Sequence, residues 1–70
     1  MTPLTMAKPG ETVTIRRITG RDEVRQHLAE LGFVVDTDVT VVTVMGGSLI
    51  LQVRDSRVAL DRSMASRIML

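Results

Sequence analysis

The sequence contains no cysteine, tryptophan or tyrosine, and it has a single phenylalanine among 70 residues. Without cysteine, neither a disulfide nor a thiolate metal site can stabilise the fold, and a reducing compartment is the expected setting. Without tryptophan or tyrosine, the chain lacks the stacking platform of single-strand nucleic-acid binders. It also lacks the aromatic groove of domains that recognise proline-rich segments. Both kinds of binding are therefore disfavoured.

The chain also has no large excess of charge of one sign and no long apolar run. Nine basic and eight acidic residues leave a net charge of +1, without the basic excess that phosphate contacts usually require. No apolar run approaches the roughly 20 residues that span a bilayer, and no signal-like apolar segment follows Met1. Residues 1–70 are predicted to form a single small cytoplasmic domain without nucleic-acid partners.

What remains is a chain rich in β-branched and aliphatic residues. Polar–apolar alternation and turn signals predict strands at residues 12–15, 39–45, 49–54, 58–60 and 67–70. Val24, Leu28 and Leu31 form one stripe of a short helix, with Thr19 or Asp22 as its N-cap. The fold class is therefore mainly β, and five short strands close best as a small barrel with one inserted helix.

Four turn signals lie next to these predicted strands and the helix. Gly32 is expected just past the helix in a left-handed conformation, with Phe33 packing back on Leu28. Lys8-Pro9-Gly10-Glu11 has the type II pattern, and Gly46-Gly47 lies between two strand patterns as a hairpin loop. Residues 36–38 form a polar turn. The structural turn residues are accordingly Pro9, Gly10, Gly32, Gly46 and Gly47.

Strand 39–45 is the most apolar of the predicted strands. Strict alternation would place Val39, Val41, Thr43 and Met45 on one face of the sheet. Thr40, Val42 and Val44 would then occupy the other face. With both faces this apolar, the second face is expected to meet the helix, a terminus or another chain, and self-association stays open.

Residues that could carry chemistry are few. His27 is the only imidazole, and no cysteine is present to complete a metal site around it. Asp36 and Asp38 could share one face of a strand, but two carboxylates are a weak cation site. A catalytic triad would have to use His27 in a chain too short to enclose it. No enzyme activity, cofactor or metal site is predicted.

Several segments, in this order, resemble the FeoA (ferrous iron transport protein A) family. They are Pro3-Leu4, Lys8-Pro9-Gly10-Glu11, Leu28-Ala29-Glu30-Leu31-Gly32-Phe33, Val53-Arg54-Asp55-Ser56-Arg57-Val58-Ala59-Leu60 and Ala65-Ser66-Arg67-Ile68. The sequence departs from the family pattern at one turn and at two single positions. Val35-Asp36-Thr37 stands where Pro-Gly and a threonine are usual, Asp55 stands where glycine is frequent, and Asp61 stands where arginine is frequent.

The resemblance implies an SH3-like β-barrel and a non-enzymatic cytoplasmic accessory of ferrous iron uptake. Its implied partner is FeoB, the membrane ferrous iron transporter with a cytoplasmic GTPase domain, so any membrane association would be through that partner. Two alternatives stay open: a regulatory module like that of DtxR-type metal-dependent repressors, and a protein that binds a transition metal directly.

The partner is expected to dock around the helix and its C-terminal turn. The candidate docking residues are Leu31, Gly32, Phe33, Val34, Val35, Arg21 and Arg25. Arg16 and Arg17 belong to the same cluster of arginines near the helix start. That cluster is either a solvated face or an electrostatic contact with an acidic partner.

Overall fold

The structure is a computed structural model that describes every residue from Met1 to Leu70. Six strands are present: β1 (Thr12–Thr14), β2 (Arg17–Ile18), β3 (Asp38–Met45), β4 (Ser48–Val53), β5 (Ser56–Asp61) and β6 (Ile68–Met69). The helices are α1 (Asp22–Glu30) and α2 (Arg62–Ala65), and a 3₁₀ turn spans Leu4–Met6. Neither helix has the length and apolar character needed to cross a lipid bilayer.

The strands hydrogen-bond as two antiparallel sheets. The larger sheet has the order β1-β3-β4-β5, and the smaller pairs β2 with β6. The predicted mainly β class with one principal helix is confirmed, but there are six strands rather than five. The additional strand is β2, which pairs with β6 where the predicted first strand breaks its alternation. The ladders leave two separate sheets, so a continuous barrel stays a prediction.

The core lies between the large sheet, α1 and the chain segments at both ends. Thirteen hydrophobic residues are buried, and no polar or charged residue is. Phe33 is the largest of the fully buried side chains, and Leu28 and Ile15 are fully buried with it. Val24 and Leu31, the other members of the predicted helix stripe, pack against this core while partly exposed. The stripe therefore docks α1 as predicted.

Helix α1 begins differently from the prediction and ends as predicted. Its N-cap is Arg21, whose side chain makes no capping bond, so neither Thr19 nor Asp22 has that role. At the other end, the Phe33 amide donates to the Leu28 carbonyl (2.9 Å) and the Gly32 amide to the Ala29 carbonyl (3.0 Å). These two bonds form a Schellman motif, and Gly32 has the positive φ of +106° that the motif requires.

The predicted faces of β3 are wrong beyond Val41. A β-bulge places one extra residue between Val41, which pairs with Leu51, and Thr43, which pairs with Ile50. Because a strand's faces alternate, one extra residue reverses every later side chain. Val44 therefore pairs with buried Leu49, and the Met45 side chain is 65% exposed.

Tight turns precede β1 and connect β3 to β4. The Glu11 amide donates to the Lys8 carbonyl (3.0 Å), and Gly10 has φ +89°, as the third position of a type II turn requires. Gly46 and Gly47 link β3 to β4, and only Gly46 has positive φ, at +58°. That combination is the II′ geometry favoured in two-residue hairpins.

The loop between β4 and β5 contains backbone strain that can be relieved. Arg54 is exposed and has φ +53°, a left-handed conformation that costs a residue with a β-carbon about 1–2 kcal/mol. We expect Arg54→Gly to raise the free energy of unfolding by about 0.5 kcal/mol, because the greater freedom of unfolded glycine offsets part of the relief. Urea denaturation followed by circular dichroism measures the change.

Asp55→Gly is the matched control for this prediction. Asp55 belongs to the same loop but does not have positive φ, so glycine there should only destabilise. Equal destabilisation by both substitutions would contradict the strain assigned to Arg54.

Candidate docking groove

A surface groove of about 560 Å³ lies along α1. We call it the α1 groove. Three segments line it: Arg16, Arg17 and Ile18 before the helix; Asp22, Arg25, Gln26 and Ala29 on the helix; and Phe33, Val34 and Val35 after it. Half-buried Ile18 and Val34 provide its apolar base, and Phe33, which also lines it, is fully buried. The groove thus combines an apolar base with a charged rim.

The helical wall follows from residue spacing. Positions 22, 25, 26 and 29 are separated as i, i+3, i+4 and i+7, which places them on one face of a helix. Leu28 points from another face into the core, so the groove-lining face remains available to solvent. Ala29 is exposed and is the smallest side chain of this wall.

The wall before the helix is fixed by the small sheet. Arg17 pairs with Met69 and Ile18 with Ile68 in the β2–β6 ladder. The Arg16 amide donates to the Met69 carbonyl at 2.8 Å. These backbone bonds define where the Arg16–Ile18 segment runs, while the arginine side chains stay exposed.

A turn shapes the third wall. The Thr37 amide donates to the Val34 carbonyl (3.2 Å), and Asp36 occupies the third turn position with φ +72°. The Asp36 amide also donates to the Ile15 carbonyl (2.7 Å), which attaches the turn to the segment between β1 and β2. Asp36 accepts the left-handed conformation because aspartate tolerates it better than most residues. The turn leaves the Val35 side chain 51% exposed beside the groove.

The rim is positive and only loosely neutralised. Three arginines and one aspartate line the groove, which leaves a net lining charge of +2. Arg25 Nη1 lies 3.9 Å from Asp22 Oδ1, and Arg16 Nη1 lies 3.9 Å from Asp36 Oδ1. Arg17 takes part in neither ion pair. Because all four paired side chains are more than half exposed, these pairs contribute little to stability.

The candidate docking residues divide into two sets. Phe33, Val34, Val35 and Arg25 line the α1 groove, whereas Arg21, Leu31 and Gly32 do not. Ile18, Asp22, Gln26 and Ala29 line it but were absent from the candidate docking residues. The i, i+3, i+4, i+7 spacing was the available signal for the three helical members.

The candidate metal ligands do not converge. No group of three or more histidine, cysteine, aspartate or glutamate side chains lies together. His27 is exposed on α1, and Asp38 accepts a 2.7 Å hydrogen bond from the Thr14 hydroxyl. Asp36 instead faces Arg16.

Comparison with known proteins identifies the family to which the chain belongs. Residues 2–70 match the model of the FeoA domain. A protein of Methanocaldococcus jannaschii, named as a candidate Fe(2+) transport protein A, is 30% identical over 69 residues; the match covers 99% of this chain and 84% of the relative.

Solved structures show the same fold. An iron uptake regulatory protein (FeoA) superposes with a TM-score of 0.88 and 28% identity, covering 96% of this chain and 89% of that one. The zinc complex of Stenotrophomonas maltophilia FeoA, described as an SH3 domain protein, gives 0.85 and 28%, covering 99% and 88%. A manganese-dependent transcriptional repressor gives 0.83 at 22% identity over 38% of its length, a likeness of fold alone.

Proposed function

The chain belongs to the FeoA family, which is associated with ferrous iron transport, and on that premise we propose that it is a non-enzymatic accessory of ferrous iron uptake. It acts in the cytoplasm by binding the cytoplasmic part of a FeoB-type transporter. The S. maltophilia relative has itself been proposed as a ferrous iron transport activating factor, which supports this assignment.

The α1 groove is the observation that carries the proposal. An open groove with an apolar base and a few charged groups at its rim is typical of a recognition site. Val35 is one of only five large hydrophobic side chains that are exposed, and it is the one that lines the groove. A partner side chain placed there would remove Val35 and the exposed part of Ile18 from water, which favours association.

Val35→Asp tests this docking surface. Because Val35 is half exposed, we expect the variant to fold while its affinity for the cytoplasmic part of the transporter falls about fivefold or more. Calorimetry with purified proteins measures the affinity. Ferrous iron uptake should fall in cells that produce only the variant.

Met45→Asp is the matched control. Met45 is 65% exposed and lies outside the groove, so the same change of character there should leave binding and uptake unchanged. Normal ferrous iron uptake in cells that lack this chain would contradict the proposed function. Transporter binding that is insensitive to Val35→Asp would instead place the docking surface elsewhere.

The two alternative functions, a regulatory module and a direct metal binder, predict different experimental results. A regulatory module predicts that loss of the chain changes transcription of metal-responsive genes before it changes uptake. A direct metal binder predicts stoichiometric ferrous binding to the isolated chain, which calorimetry at micromolar metal would detect.

A further inference from the structure

We propose that the α1 groove recognises a short acidic segment of its partner in which apolar side chains alternate with carboxylates. This inference deepens the proposed function and rests on it, because it specifies the chemistry of the segment that docks. It assigns Arg17 as the residue that anchors the segment and Asp36 as the residue that opposes it.

The dimensions of the groove favour a few side chains rather than a whole protein face. Its volume of about 560 Å³ falls in the range of about 300–1,000 Å³ that holds a small organic ligand. The base presents the half-buried Ile18 and Val34 side chains, and exposed Ala29 lies on the helical wall beside them. An aliphatic side chain from the partner would complete this apolar contact.

The charge of the rim favours carboxylates beside that side chain. Arg16 and Arg25 already face aspartates, but at 3.9 Å and in exposed positions, where ion pairs are weak. An incoming carboxylate could therefore exchange with these aspartates at little cost. Arg17 has no carboxylate partner, so its charge can be paired fully by an occupant.

Arg17 is also the one arginine of the groove lining that belongs to a strand. It pairs with Met69 in the small sheet, and its exposed side chain lines the groove outside both ion pairs. Asp36, in contrast, weakens the binding of an acidic occupant. Its carboxylate lies near the rim through its contact with Arg16, and it repels any negative occupant.

The apolar base distinguishes this occupant from a nucleic acid or an anionic surface. Phosphate recognition relies on a basic stripe, whereas here Asp22 lies in the groove and Asp36 beside it. A segment that carries both aliphatic and carboxylate groups matches both halves of the site. Charge complementarity sets the orientation, and the apolar contact supplies the affinity.

The experiment is a nuclear magnetic resonance titration of the full isotopically labelled chain. The probe is a nine-residue peptide, Gly-Ser-Asp-Leu-Glu-Leu-Asp-Ser-Gly. We expect saturable shifts of the Ile18, Ala29 and Val34 amides. A peptide with amides in place of its carboxylates should bind about tenfold more weakly, and one with serine in place of leucine should bind equally weakly.

Two substitutions should change the affinity in opposite directions. Arg17→Gln should weaken binding of the acidic peptide about threefold, and Asp36→Asn should strengthen it about twofold, in keeping with exposed charge pairs. Asparagine tolerates positive φ, so Asp36→Asn should preserve the turn. Arg62→Gln removes the same charge from α2, outside the groove, and should have no effect.

The outcomes separate this inference from the proposed function. Equal binding of the acidic and amide peptides, or shifts confined to residues outside the groove, would overturn the assigned chemistry. If the acidic peptide does not bind but the transporter's cytoplasmic part does, the inference fails and the docking function stands. If only the peptide binds, the transporter is the wrong partner and the chemistry of the groove stands.

Discussion

Phe33→Ala is expected to lower the free energy of unfolding by about 3–5 kcal/mol. Phe33 is fully buried, is the largest side chain of the core and is the only aromatic residue in the chain. Truncation removes its apolar contact area and leaves a cavity that neighbouring aliphatic groups cannot fill. A domain of this size has a total stability of about 4–10 kcal/mol, so much of the variant should be unfolded at physiological temperature.

Thermal and urea denaturation of Phe33→Ala, compared with Phe33→Leu, measures this effect. Leucine keeps most of the apolar volume, and its cost should be nearer 1–2 kcal/mol. Val35→Ala provides a second control, because Val35 is half exposed and its truncation should cost under about 1 kcal/mol. A loss below 1 kcal/mol for Phe33→Ala would show that the ring does not organise the core.

Gly32→Ala should cost about 2 kcal/mol, the second largest effect. The φ of +106° lies beyond the left-handed helical region that other residues occasionally occupy, and such strain costs about 1–3 kcal/mol. A β-carbon at this position would lie 3.5 Å from Val53 Cγ2, which is ordinary contact. The cost therefore comes from the backbone conformation and not from a clash.

Gly47→Ala is the matched glycine control. Gly47 does not have positive φ, and apart from its chain neighbours no residue has an atom within 4 Å of the position of its β-carbon. Alanine there should change stability by no more than about 0.5 kcal/mol. If the two alanine variants unfolded at the same urea concentration, the Schellman motif would not be the source of the Gly32 effect.

The parts of the fold that the sequence predicts are those encoded by neighbouring residues. The stop of α1 depends on Gly32 and Phe33, which directly follow the helix, and the Lys8–Glu11 turn depends on Pro9 and Gly10. Each of these motifs has specific local requirements for φ or for a missing amide proton. Both motifs can therefore be recognised in the sequence without knowledge of the rest of the molecule.

The parts that could not be predicted depend on distant residues. The β3 bulge reverses the faces after Val41, but the strand is apolar on both sides, so its composition contains no sign of the change. Strand β2 has only two residues, and its partner Ile68–Met69 lies some fifty positions away. Arg21 as N-cap is unexpected for a different, local reason: its side chain makes no capping bond, so no residue preference indicates it.

The candidate site was predictable in part for the same reason. Phe33, Val34 and Val35 were identified because they follow the helix stop, and all three line the α1 groove. The wall containing Ile18 was missed because it exists only where β2 pairs with β6. A site assembled from three separated segments cannot be recognised from any one of them.

The small sheet has a consequence for the dynamics of the groove. The β2–β6 ladder contains only two residue pairs, so its opening free energy should lie well below that of the eight-residue strand β3. Arg17 and Ile18 form one wall of the groove and also one strand of this ladder. Fraying of β6 would therefore release that wall, and an occupant that binds only the closed form would protect β6 from fraying by mass action. Occupancy of the groove and local order in β6 therefore depend on the same equilibrium between the closed and the frayed form.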